Sequence, residues 1–521
     1  MTRLVVRHDR LARGTVTARS KRAGGALWEN ILTDHYAAAV KGSAPVPEAG
    51  LEPDAIGAAQ DTVIGMASSA PAATVGLTFA GLAVATAYGA GPVVLLTAIP
   101  MLVIANAYRR CNLWNANCGA SFEWVGRAID PYLGFLTGWL MIAAYIIGTV
   151  AEVLILGPSV LAVFGNSSTN KWAYIGIGCA MGFVMLVIAV IGIRITARVQ
   201  VSMALVEYLI LVGLAIAGLV FVLSHHPGTV PITKGWFSLS GIGGKGDVVA
   251  GFLAAVFIYG GWDGTLYVNE ETKHRRVNPG RAAIIAVALL AVIYTLCQVG
   301  FQGVLSPSKL AAAAQNGTAL VTVANALGGG FWAKAMALAI ALSVIATTGT
   351  GIVLSARIVY GMANHRVLPE FLGTVSRRWN TPVASSIIVG LLIIGLSAVY
   401  FLATSVQGAF TDVINVTGLL FSVFYILTAF AAMSYYRRRI FNSAWDFIGV
   451  GLLPLAAAGF LGWVLVLSLK DAAATQRWSV VGIVAAGVVL MLVARFILRS
   501  SFFHIQRESE SGTTARQGAT R

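Results

Sequence analysis

The chain has 521 residues, of which 57% are hydrophobic and 11% charged, with a mean hydropathy of +0.79. Soluble globular domains carry about 25% charge, so a soluble fold is excluded and an all-α membrane protein is expected. The net charge of +15 follows from the positive-inside rule, and no nucleic-acid partner is implied.

Residues 1–60 read as a basic cytoplasmic tail without an apolar signal segment. Residues 1–55 and 500–521 are polar and aperiodic, the pattern of disorder. Between the tails, apolar runs long enough for a bilayer core of about 30 Å predict twelve transmembrane helices. Spans 1–6 are Thr62–Tyr88, Pro92–Tyr108, Leu133–Phe164, Trp172–Ile193, Val199–Leu223 and Val248–Val268. Spans 7–12 are Ala282–Val304, Ala335–Met362, Val383–Leu402, Phe410–Tyr435, Phe447–Leu469 and Trp478–Leu498. The domain layout is a first five-span repeat over 61–223, a second over 248–435, a peripheral pair over 447–498 and a cytoplasmic tail from 499. Arg109-Arg110, Lys273 to Arg281 and Arg437-Arg438-Arg439 fall in short loops on one face. That asymmetry places both termini in the cytoplasm and the Pro227–Gly246 loop outside.

Two spans are broken near their middles. Span 1 reads Ala67-Ser68-Ser69-Ala70-Pro71 and span 6 reads Tyr259-Gly260-Gly261-Trp262-Asp263. Backbone freed within a membrane must line a cavity or be buried in protein, and paired interruptions mark a transporter's binding site. At the first break, Pro71 removes a hydrogen bond and the small residues let the chain unwind. The half-helix that follows offers N–H groups suited to a carboxylate. At the second, Gly260 and Gly261 free carbonyls for an amine, while Tyr259 and Trp262 supply aromatic faces. Asp263 is a carboxylate within a span, and two readings stand: a residue on the substrate pathway, or a cap on the unwound segment.

Glu207 lies inside span 5. It is a proton-coupling candidate, unless a buried partner such as Arg357 makes it structural. Glu152 and Asp412 lie nearer the outer ends of their spans and read as structural. Asn269 to Arg276 reads as a solvated turn with local ion pairs. Gly134-x3-Gly138 and Gly178-x3-Gly182 suit close helix packing. Cys111, Cys118, Cys179 and Cys297 form no CxxC pair, and His225-His226 have no third ligand, so no metal site is expected. Gly241 to Gly246 lacks the residues of a phosphate loop. No cofactor and no catalytic residues are expected.

These features resemble the amino acid–polyamine–organocation (APC) permease superfamily. The resemblance rests on Gly119 to Arg127 with Pro131 and Gly134 to Trp139. It continues in Tyr259 to Asp263 with Glu270 to Lys273 and Asn278-Pro279, and in Ser355 to Ala363 with Leu368-Pro369 and Thr381-Pro382. It implies a five-plus-five inverted repeat with discontinuous helices 1 and 6, and a substrate site between spans 1, 3, 6, 8 and 10. It implies that the small residues of the first break bind a substrate carboxylate and that both breaks bind an amine. The chain departs from the usual Gly-small-Gly at the first break and has Glu207 where several proton-coupled members carry Lys. The expected function is a plasma-membrane permease, not an enzyme, for an amino acid or related amine, with protons and the lipid bilayer as partners. The alternatives are a polyamine- or ethanolamine-type amine carrier and a non-transporting sensor on the same fold.

Overall fold

A computed structural model describes residues 50–510, apart from Ala87, 167–169, 240–241, 243–244, 316–317 and 404–405. Twelve helices are long and apolar enough to cross a membrane, and among the described residues there is no β-sheet. The predicted tails lie outside the described residues over 1–49 and 511–521. Residues 500–510 depart from the disorder expected of them. Ser501–His504 forms a short turn whose Phe502 is buried and stacks on Phe122, and Glu508 pairs with Arg127 at 2.9 Å. Two aromatic residues in a polar tail are enough to dock it.

Span 1 is two helices, Ala58–Ala67 and Pro71–Ala85. Ala70 between them has φ 44°, and Pro71 restarts the helix at a position where a missing N–H costs nothing. Span 6 is a helix to Ile258 that gives way to a 3-10 turn over Trp262–Leu266, with Gly261 at φ 107°. Span 3 runs Pro131–Val163, capped by Asp130, which accepts from the Tyr132 and Leu133 N–H groups. Span 5 runs Ile193–Leu223, six residues earlier than its hydropathy shows, because Gly192 turns the chain directly out of span 4. Three further helices are not expected from hydropathy: Ser121–Ala128 before span 3, and Pro307–Gln315 and Ala319–Gly328 between spans 7 and 8. They are too short to register as spans.

Close approach of helices depends on small residues. A Cβ on Gly134 would sit 2.5 Å from the Gly126 Cα, and one on Gly351 in span 8 would sit 2.1 Å from Thr149 Oγ1 in span 3. Gly178 and Gly182 likewise face Val153 and Ile394. At the end of span 6 the chain is tied down. The Ile56 N–H donates to the Glu271 carbonyl and the Lys273 N–H to the Ile56 carbonyl, a single parallel bridge between Ile56 and Thr272 that ties the start of span 1 to this segment. Glu271 is fully buried and takes two hydrogen bonds of 2.9 Å from the Arg357 guanidinium of span 8. Glu270 accepts from the Cys118 N–H at 3.0 Å. The expected solvated turn is therefore corrected in its first half: Lys273 to Arg276 are exposed, whereas Asn269, Glu271 and Thr272 are buried and Glu271 holds the buried Arg357 guanidinium in a bidentate pair. The same pair removes Arg357 as the partner suggested for Glu207.

Candidate functional site

The two breaks face each other. The Ser68 hydroxyl lies 2.5 Å from the Gly261 carbonyl oxygen and 3.0 Å from that of Gly65, and donates within this pair. A Cβ on Gly261 would come 2.4 Å from the Ser68 carbonyl oxygen, so only glycine fits both the space and the positive φ. The freed groups of span 1 are taken up locally. Thr74 Oγ1 lies 2.6 Å from both the Ser69 and Ala70 carbonyl oxygens, and Thr347 of span 8 donates to the Ala67 carbonyl at 2.7 Å.

A cavity of about 30 Å³ opens beside this junction, between spans 1, 3, 6, 8 and 10. That volume holds one or two waters, whereas ligand pockets run from about 300 Å³ upward. The breaks must separate to admit a substrate. Ser68, Ser69 and Gly260 are in its wall; Ala67, Ala70, Tyr259, Gly261, Trp262 and Asp263 are behind it. The wall also contains Tyr145, Thr149 and Glu152 of span 3, Thr347 of span 8, and Thr417 and Phe421 of span 10. Of these, the sequence singled out only Glu152, and as structural. A hydroxyl or an aromatic ring in a membrane helix carries no periodic signal that separates a cavity wall from a packed core. Asp412, also read as structural, has a side chain outside the described residues.

Tyr259 and Trp262 do not present the expected aromatic faces to the cavity. The Tyr259 hydroxyl donates to the Val94 carbonyl at 3.1 Å. Trp262 is fully buried, stacked on Tyr425 at 5.3 Å and edge-on to Tyr108 at 5.2 Å. Asp263 lies at the centre of a tyrosine cluster. Its Oδ1 accepts from Tyr145 at 2.9 Å and Tyr425 at 2.8 Å, and its Oδ2 accepts from Tyr267. Spans 3, 6 and 10 are thereby joined through one carboxylate. Its side-chain donors are phenols from three spans, and its own backbone N–H is the one main-chain group against it.

Glu207 is fully buried near the middle of span 5. Its Oε1 accepts from the Ala72 N–H at 2.9 Å, and Ser343 Oγ accepts from the Ala73 N–H at 3.4 Å. These are the first donors of the half-helix after the break, since Pro71 has none. A carboxylate does occupy this positive helix end, but it belongs to the protein. The expectation that these N–H groups stand free for a substrate is corrected accordingly. Among the described residues, no group of His, Cys, Asp and Glu is arranged to hold a metal ion.

The profile of the family described as Amino acid permease matches residues 61–494. The chain is 23% identical over 397 residues to the arginine/ornithine antiporter ArcD1 of Lactococcus lactis, a match covering 68% of this chain and 74% of that protein. It is 29% identical over 183 residues to the mouse large neutral amino acids transporter small subunit 2. There the match covers 35% of this chain and 32% of the relative, about a third of that protein's length. Among solved structures, MhsT in complex with L-phenylalanine superposes with a TM-score of 0.55 at 15% identity, over 80% of this chain and all of that one. That likeness carries the five-plus-five inverted-repeat fold with its discontinuous helices 1 and 6.

Proposed function

Because the chain belongs to the amino acid permease family, and with it to the APC superfamily, we propose that it is a secondary active transporter moving an amino acid or related amine across the plasma membrane by alternating access. The family consists of permeases, not enzymes, and the relatives named above carry amino acids. One observation supports the reading most. The two interrupted helices meet at the Ser68–Gly261 contact, beside a cavity bounded by spans 1, 3, 6, 8 and 10. Backbone at both breaks then serves the substrate's ammonium group, with Ser68, Ser69 and Gly260 nearest to it. The Asp263 tyrosine cluster suits a gate: opening requires at least one of three phenols to leave the carboxylate. Glu207 suits the coupling step. Protonated, it grips the Ala72 N–H less tightly, and the half-helix is freed to tilt.

The amine-carrier reading has its own support. With Glu207 and Ser343 on the first N–H groups of the half-helix, a substrate without a carboxylate needs no seat there. Uptake by the purified protein in proteoliposomes decides between them, using labelled amino acids and their decarboxylated amines as the panel. Saturable uptake of amino acids is the expected result. Uptake of the amines alone favours the second reading. A well-folded, reconstituted protein that neither takes up nor exchanges any member overturns both.

A further inference from the structure

The wall of the central cavity contains one ionisable carboxylate that the gate and the coupling step do not use. Glu152 stands on span 3 two helical turns beyond Tyr145, about 10 Å along the axis. Its carboxyl leans back to the Thr347 hydroxyl, which donates to the Ala67 carbonyl at 2.7 Å, so the acid group itself lies close to the first break. Glu152 is 7% exposed, and its Oε2 has no hydrogen-bond partner among the described residues. The Thr347 hydroxyl is its one side-chain hydrogen-bond partner, and it also faces the Ala67 and Ser343 carbonyls at 2.7 and 2.9 Å. The other charged group near it is Glu207, of the same sign. No Lys, Arg or His is in the cavity wall, and Glu152 takes part in none of the ion pairs among the described residues. The rest of the wall is hydroxyls, glycines and the rings of Phe257 and Phe421.

A carboxylate this deeply buried must be neutralised by a proton or matched by a cation. The wall contains no Lys, Arg or His, so a proton holds the group neutral when the site is empty and a cationic cargo is what can match it once ionised. With only the Thr347 hydroxyl between the carboxyl and the Ala67 carbonyl, the two are within reach of the ends of one flexible stem of about four carbons ending in a charged nitrogen.

Resting on the permease reading above, we propose that Glu152 is the specificity-determining residue, and that it receives the distal ammonium or guanidinium of a basic amino acid whose α-ammonium lies at the breaks. A diamine of matching length shares the distal chemistry and differs only in lacking the carboxylate. The hydroxyls of Thr149 and Thr347 complete the shell around the distal nitrogen, and the two Phe rings flank its carbon stem.

The test uses purified full-length protein, with binding of lysine, its neutral isostere norleucine and cadaverine measured side by side. A charge-assisted hydrogen bond to a buried carboxylate gives lysine about a ten- to hundredfold preference over norleucine. In Glu152→Gln that preference falls to near unity. Glu152→Asp keeps the preference in sign at reduced size. Norleucine bound as tightly as lysine by the wild-type protein overturns the inference without a variant being needed. So does a Glu152→Gln protein that keeps the full preference. Cadaverine bound better than lysine overturns the assignment to an amino acid. If none of the three binds, yet the uptake panel shows transport of other amino acids or amines, the inference alone fails. If that panel is blank as well, the permease reading fails with it.

Discussion

Gly261 is the residue on which the junction of the two breaks depends most directly. A methyl group there would be 2.4 Å from the Ser68 carbonyl oxygen and 3.0 Å from the Ser69 N, both of which are backbone and cannot rotate away. Gly261→Ala is therefore expected to abolish substrate binding while the protein still inserts and purifies as a single species. Binding of wild-type strength in that variant would detach span 6 from the site. Asp263 makes a separate prediction. If its three phenol contacts form a gate, Asp263→Asn keeps substrate affinity within a few-fold and slows transport. If Asp263 holds the substrate's ammonium directly, affinity falls by about ten- to a hundredfold, the cost of a lost charge-assisted bond. Equilibrium binding and uptake measured on the same preparation separate the two. At this scale the sequence was partly legible. The glycines and Ser68 stood out because broken helices have a distinctive composition. The tyrosines on Asp263 did not, because Tyr145 and Tyr425 come from spans distant in sequence and only the fold brings them together.

At the level of elements, the half-helix Pro71–Ala85 is anchored from outside its own span. Its first donors go to Glu207 of span 5 and Ser343 of span 8, so any tilt of span 1 must break or carry these bonds. The sequence located Glu207 within a span but could not supply its partner. The suggested Arg357 is engaged with Glu271, a residue in a stretch that reads as a solvated turn. Runs of charge beside a membrane span look the same in sequence whether they face water or fold inward. A neutral amide still accepts from the Ala72 N–H but cannot exchange a proton. Glu207→Gln is therefore expected to fold, to exchange substrate for substrate, and to lose accumulation driven by a pH gradient. Full gradient-driven accumulation in Glu207→Gln would exclude it as the proton carrier.

For the whole molecule, the count and order of the spans were legible because a bilayer imposes a minimum apolar length on every crossing. Orientation rests on a different force, the retention of Lys and Arg on the cytoplasmic side, and it would set which way the proposed Asp263 gate opens. Span 6 separates the loop containing Thr233 from the turn containing Arg275, so these exposed residues lie on opposite faces of the membrane. The native cysteines give little background: Cys111, Cys118 and Cys297 are buried, and Cys179, half-buried in span 4, is replaced by Ser before the test. With both termini inside, Thr233→Cys reacts with an impermeant thiol reagent in intact cells, and Arg275→Cys reacts only after lysis. The reverse pattern would invert the protein. The Asp263 cluster would then close the outer side, and Glu152, on the far side of the cavity from it, would meet a substrate arriving from the cytoplasm.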